Sequence, residues 1–261
     1  MAKVVVITGA SGGIGAALAR RLGSDHAQLV LAARRENELA QVSDEALSAG
    51  ADKVLTIRAD VTSRDDVLKI SDGALAEFGH IDVWVNNAGR GITRSVLDLT
   101  AEDVDEMIDV NVKSAIYGAQ AVVPHFIERG EGHIINISSF LGRVPIASFR
   151  SVYSAAKAAL NSLTTNLRMD LRQYPGIHVS LVMPGVVTTD FARNVRGEVR
   201  PPISAGAPGS SPMKPQTPQE VADKIAELID HPVAELYTNP ASAEIARNYY
   251  ANQGELDVST R

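Results

Sequence analysis

Seven short runs of apolar, largely β-branched residues recur along this chain, with helical patterns between them. The runs are "KVVVIT" (3–8), "QLVLAA" (28–33), "KVLTIR" (53–58), "IDVWVN" (81–86), "HIINIS" (133–138), "HVSLVM" (178–183) and "ELYT" (235–238). They are nearly continuous rather than alternating, as expected of strands covered on both faces of a parallel sheet. The helical stretches read as 14–22, 36–48, 65–78, 104–129, 152–173 and 219–230. This βαβ rhythm predicts an α/β fold with one doubly wound, seven-stranded, mainly parallel sheet and helices on both faces. A chain of 261 residues can form one large core, so residues 1–261 are read as a single domain.

Local signals agree with these placements. "TAED" and "TPQE" set Thr100 and Thr217 three residues before an acidic residue, the spacing of a capping box. Residues 191–217 break the rhythm with five prolines and three glycines. A connection this long after a strand's C-terminal end reads as a lid over a site, the alternative being a surface insertion without function. The polar tail 240–261 carries too little pattern to assign.

Composition excludes several classes of function. The absence of cysteine removes disulfides, thiolate nucleophiles and thiolate metal sites. With a net charge of −6 and no basic block, nucleic acid is not the expected partner. No run approaches the roughly 20 apolar residues that span a bilayer, and "MAKVVVITGAS" enters a strand directly, so the expectation is a soluble, cytoplasmic protein. The histidines at 26, 80, 125, 133, 178 and 231 lack metal-ligand spacing, and no metal is expected.

After the first strand comes "TGASGGIG" (8–15), and a helix follows. Glycines there let the backbone turn tightly against a pyrophosphate, which the helix N-terminus can bind through its free N–H groups. A merely structural turn is the alternative. The second strand ends at Ala33 and is followed by Arg34 and Arg35. An acidic residue would meet a free ribose 2′-hydroxyl here, whereas guanidinium groups suit a 2′-phosphate, so NADP(H) is the expected cofactor. The competing reading is a solvated, basic start to the next helix.

"SVYSAAKAAL" (151–160) places Tyr153 and Lys157 one helical turn apart. A neighbouring ammonium lowers a phenol's pKa toward the range useful for general acid–base catalysis. Taken alone, such a pair is more simply a packed ring with a snorkelling lysine. The fifth run ends in Ser138 and Ser139, at the sheet edge where open α/β folds bind ligands. No nucleophile elbow surrounds these serines, which argues against acyl transfer.

"TGASGGIG", "NNAG" (86–89), Asn111 in "DVNVKS", "NISS" (136–139), "YSAAK" (153–157) and "PGVVTT" (184–189) occur in one order. In this set the chain resembles the short-chain dehydrogenase/reductase family over residues 1 to roughly 238. The resemblance implies a Rossmann fold and an NADP(H)-dependent oxidoreductase that interconverts a carbonyl and an alcohol. It implies a catalytic set of Asn111, Ser139, Tyr153 and Lys157. Tyr153 would be the general acid/base, Lys157 would tune it and bind the nicotinamide ribose, Ser139 would polarise the carbonyl, and Asn111 would hold a relay water. Gly9, Ser11, Gly13, Ile14 and Gly15 would line the pyrophosphate turn. Asp60 and Val61 would meet the adenine; Asn87, Ala88 and Gly89 would lie along the cofactor, with Asn86 partly structural. Pro184, Gly185 and Thr189 would meet the carboxamide. It also implies a homodimer or homotetramer through the helices 104–129 and 152–173.

One departure stands out: Ser139 lies one position farther from Tyr153 than the family's usual spacing, and Ser138 lies two. An insertion in "FLGRVPIASFRSV" explains this, and it leaves the choice between the two serines open. Two other functions remain: a cofactor-binding regulatory protein without turnover, and a lyase or epimerase on the same scaffold. The substrate is unassigned; Arg90, Arg94, Phe140, Leu141, Arg143 and Phe149 are its expected wall, and the arginines suggest an anionic or polyol compound.

Overall fold

The computed structural model of the chain describes residues 2–189, 196–197 and 213–254. In chain order the elements are β1 (Val4–Thr8), α1 (Gly13–Gly23), β2 (Gln28–Ala33), α2 (Glu36–Ala49), β3 (Lys53–Arg58), α3 (Arg64–Phe78), β4 (Val83–Asn86) and β5 (Ile92–Thr93). There follow α4 (Ala101–Ile108), α5 (Ser114–Arg129), β6 (Gly132–Ile137), α6 (Ser151–Asp170), β7 (Ile177–Met183), β8 (Arg196–Gly197), α7 (Pro218–Asp230), β9 (Glu235–Tyr237) and α8 (Ser242–Ala251). All seven apolar runs form one sheet in the order β3-β2-β1-β4-β6-β7-β9, and every pairing in it is parallel. A separate parallel pair joins β5 to β8.

Apolar side chains divide into two main layers about the sheet. One packs α1, α2 and α7 around Leu18, Leu31 and Ile225; the other packs α3, α5 and the end of α6 around Trp84, Phe126 and Ile70. Gly132 opens β6 because a Cβ there would collide with the Phe126 ring. The central strands β1 and β4 are buried along their whole length, as their unbroken apolar runs predict. β3 corrects that reading. It forms one sheet edge and mixes exposed with half-buried residues, Lys53, Thr56 and Arg58 being exposed, and β9 at the other edge likewise has no fully buried residue. Charge on an edge strand blocks pairing with another chain.

Both capping boxes are present, at Thr100–Asp103 and Thr217–Glu220. The expected helix 104–129 is not continuous: α4 and α5 are separated by a π-helical turn at Asp109–Lys113. The tail, unassigned from sequence, contains α8, whose Ala246 packs with Phe140, Val144 and Met213. Most of the expected lid 191–217 lies outside the described residues. No helix among the described residues is long and apolar enough to cross a membrane.

Candidate active site

The chain winds outward in both directions from β1, so a crevice opens where β1 and β4 end side by side. Gly9 and Gly13 hold positive φ angles of 67° and 56°, which side-chain-bearing residues rarely adopt. Gly15 is fixed by space: a Cβ there would stand 2.6 Å from Asn87 Nδ2 and 2.7 Å from the Gly9 carbonyl. Asn87 Nδ2 donates to the carbonyls of Thr8 (2.9 Å) and Gly9 (3.3 Å), tying the turn to the end of β4. Thr8 Oγ1 accepts from the backbone N–H groups of both Asn87 and Ala88 at 3.1 Å. Ser11 and Ile14 occupy the turn and the start of α1, and a Cβ on Gly13 would stand 3.6 Å from the Thr189 methyl. Pro184 accepts from the Phe140 N–H at 2.8 Å, and Gly185 packs on Met213.

The helix starts sort into two groups. α3, α4 and α7 are capped by Ser63, Thr100 and Thr217 side chains. α1, α2 and α6 follow Gly12, Arg35 and Arg150 with no side-chain cap, as do α5 and α8 after Lys113 and Ala241, and the first turns of α1, α5 and α6 hold no acidic residue. The free N–H groups of α1, at the end of the glycine turn, form a cradle for a phosphate group.

Arg34 and Arg35 leave β2 in different directions. Arg35 donates to Ser11 Oγ (3.0 Å) and the Ser11 carbonyl (3.2 Å), lying over the glycine turn. Arg34 sits 3.6 Å from Asp60 at the end of β3. Burial pushes the Asp60 carboxyl up, but hydrogen bonds from the Thr62 N–H and hydroxyl, with Arg34 beside them, hold it below the usual range. Val61 is buried in the layer of α3.

Ser139, Tyr153 and Lys157 meet at the end of β6, all buried. Tyr153 and Ser139 are hydrogen-bonded through their side chains. Ser138, by contrast, turns into the protein: its hydroxyl donates to Asn161 Oδ1 at 2.5 Å and lies 3.3 Å from the Lys157 carbonyl. The extra loop residue therefore leaves Ser139 against the tyrosine. Lys157 Nζ donates to the Ile137 carbonyl at 2.9 Å and lies 5.9 Å from the Tyr153 ring centroid. Asn111 occupies the π-helical turn and donates to the carbonyls of Arg90 (2.9 Å) and Met107 (3.0 Å). Such turns recur inside helices at functional sites. Gly89 is wedged between two of these groups: a Cβ on it would stand 3.0 Å from Asn111 Oδ1 and 3.5 Å from Lys157 Nζ.

Electrostatics here differ from the reading of the sequence. Burial raises the Tyr153 phenol above its usual value, against smaller lowering contributions from the Ser139 hydrogen bond and Arg150. Lys157 does not offset this, because burial lowers its own pKa to about 7 and weakens it as a fixed positive charge. Protein groups alone thus leave the tyrosine protonated at neutral pH.

The roles of Asn136, Thr164 and Glu106 escaped the sequence reading, whereas Asn86 was already expected to be partly structural. Asn86 accepts from Trp84 Nε1 and donates to Asn136 Oδ1, both at 2.8 Å, and Asn136 donates to Thr164 at 2.9 Å. This buried chain links β4, β6 and α6 behind the site, and its polar interruption of the "HIINIS" run was the available signal. Arg196 bridges Asp103 (2.8 Å) and Glu106 (2.5 Å), and Glu106 also pairs with Arg90. His133, at a strand start away from the site, is buried with Nε2 2.8 Å from Ser180 Oγ.

A family model described as short chain dehydrogenase matches residues 3–200. The "Uncharacterized oxidoreductase YxnA" of Bacillus subtilis is 34% identical over 94% of this chain and 67% of its own length. A short chain dehydrogenase/reductase from Burkholderia phymatum, solved in complex with NAD, superposes with a TM-score of 0.84 at 30% identity, covering 97% of this chain and 96% of that one. An alcohol dehydrogenase from Thermococcus sibiricus, complexed with 5-hydroxy-NADP, gives 0.79 at 28% identity over 93% and 98%. With the parallel sheet, glycine turn and buried Ser139–Tyr153–Lys157 cluster, these matches place the chain in the short-chain dehydrogenase family.

Proposed function

We propose that this chain is an NADP(H)-dependent oxidoreductase that interconverts a carbonyl and an alcohol, with Tyr153 as general acid/base. The observation that carries the reading is the buried Ser139–Tyr153 pair beside Lys157, at the sheet edge that also presents an anion-binding glycine turn. The nicotinamide, when bound, supplies or accepts the hydride. Ser139 holds and polarises the substrate oxygen. Tyr153, protonated at neutral pH, gives its proton to that oxygen in reduction and takes it back in oxidation. Lys157, poised between charged and neutral forms, is suited to pass that proton on, and Asn111 adjoins it across Gly89.

The choice of NADP(H) rests on this chain's own arginines, since its solved relatives hold NAD in one case and an NADP derivative in another. Arg35 over the turn and Arg34 beside Asp60 bracket the end of β2, where a 2′-phosphate would be bound by charge-assisted hydrogen bonds. A panel of keto acids, ketoses and hydrophobic ketones, run with NADPH and NADH, tests this. NADPH should be preferred at least tenfold in kcat/KM, and Arg34→Ser with Arg35→Ser should remove the preference. A preference for NADH overturns the cofactor assignment. Stoichiometric NADPH consumption with a carbonyl separates this function from a regulatory protein and from a lyase or epimerase. A homodimer or homotetramer through α5 and α6 accords with Ile127, Leu163 and Met169 exposed on those helices; light scattering on the purified protein tests it.

A further inference from the structure

Several arginines lie in the segments expected to form the substrate wall, and most are neutralised. Arg90 pairs with Glu106, Arg94 with Asp103, Arg143 with Glu235, and Arg196 with Asp103 and Glu106. Arg150 differs. Its Nη1 donates to a neutral acceptor, the Ile92 carbonyl at 3.2 Å, and its guanidinium lies 5.7 Å from the Phe149 ring centroid. No carboxylate pairs with it among the described residues, and its other guanidinium N–H groups have no protein acceptor there.

Its position is also unfavourable for the helix it starts. Arg150 is the N-cap of α6, where Ser, Thr, Asp or Asn would satisfy a free N–H and a negative charge would complement the dipole. A half-buried cation at the positive end of a 20-residue helix adds like to like. Such local violations concentrate where function requires them. Arg150 is also close to the reacting group: Ile92, which it holds, packs in one cluster with Tyr153, Val152 and Met107. Burial lowers the Arg150 pKa while Tyr153 raises it, and Arg150 in turn lowers that of Tyr153. It lies within the stretch "FLGRVPIASFRSV", which is one residue longer than the family's usual spacing.

Resting on the oxidoreductase reading above, we infer that Arg150 is a specificity-determining residue that binds a carboxylate of the substrate while Tyr153 and Ser139 hold its carbonyl. The substrate class is then the oxo acids and their hydroxy acid counterparts. Binding supplies Arg150 with a counter-ion that the described residues do not, and it complements the uncapped start of α6 in the same step.

The test uses a panel of 2-oxo and 3-oxo acids, each paired with its methyl ester, with NADPH and the purified enzyme. Wild type should favour acids over their esters by at least tenfold in kcat/KM. Arg150→Met should lower the preference for acid over ester by about 10–100-fold, the scale of a charged hydrogen bond, beyond any loss that both substrates share. Arg150→Lys should recover part of the loss for the acid, and it serves as the test if Arg150→Met fails to fold. Reduction of esters at least as well as acids by wild type overturns the inference. Equal loss of both substrates in the variants also overturns it, since Arg150 would then only hold β5. If no carbonyl compound in this panel or in the broader carbonyl panel above is reduced, the oxidoreductase reading falls instead.

Discussion

Lys157→Met should make the protein more stable and inactive at once. The lysine is 4% exposed, and burial moves its pKa from 10.5 to about 7. At about 1.4 kcal/mol per pKa unit, holding this amine in the fold costs roughly 4–5 kcal/mol at pH 7 and below. Methionine fills nearly the same volume without that cost, but it leaves the Ile137 carbonyl without its donor, a loss of about 1–3 kcal/mol. The net gain is about 1–4 kcal/mol, which raises Tm by roughly 2–16 °C for a chain of this size. The sign with pH follows from a depressed basic pKa. Between pH 7 and 10.5 the unfolded chain holds the proton and the folded one does not, so wild-type stability rises through that window. The advantage of the variant must therefore be largest at pH 7 and below and fade toward pH 10.5. Thermal unfolding of the cofactor-free proteins at a series of pH values reads the difference directly. A variant less stable than wild type at pH 7, or a difference independent of pH, refutes the argument.

Three further substitutions probe the rest of the site. Thr8→Val removes the acceptor shared by the Asn87 and Ala88 N–H groups and should cost about 1–3 kcal/mol in unfolding experiments while weakening NADPH binding. Gly15→Ala forces a Cβ against Asn87 and the Gly9 carbonyl, so calorimetry should show NADPH affinity reduced at least tenfold with the sheet still folded by circular dichroism. Asn136→Leu takes one buried partner from each of Asn86 and Thr164 behind the site and should destabilise by about 2–4 kcal/mol in denaturant titration.

The sheet was readable because burial on both faces leaves an unbroken apolar run, and each of the seven runs became a strand. The same logic failed at β3, since edge position depends on strand order, which no single run encodes. The glycine turn and the Tyr153–Lys157 spacing were legible as local patterns. The π-helical turn at Asn111 was not, because an extra residue in a helical turn barely disturbs the apolar period. The different surroundings of Ser138 and Ser139 required three dimensions: only the fold shows Ser138 bonded to Asn161. The raised pKa of Tyr153 was hidden for a similar reason. The i, i+4 spacing shows that a lysine is near, but not that its own burial weakens its charge. Arg150 left a trace that the sequence reading passed over, a cation where the start of a helix calls for a cap.

The central claim is that Tyr153 exchanges the proton in an NADPH-dependent carbonyl reduction. Its most direct test counts NADPH oxidised against alcohol formed for wild type and for Tyr153→Phe, with NADPH affinity measured in both. The expected result is one NADPH per alcohol in wild type, and turnover lowered by a factor of at least about 10²–10⁴ in the variant with NADPH affinity unchanged. Substantial turnover by Tyr153→Phe, or alcohol formed without matching NADPH loss, would contradict the account.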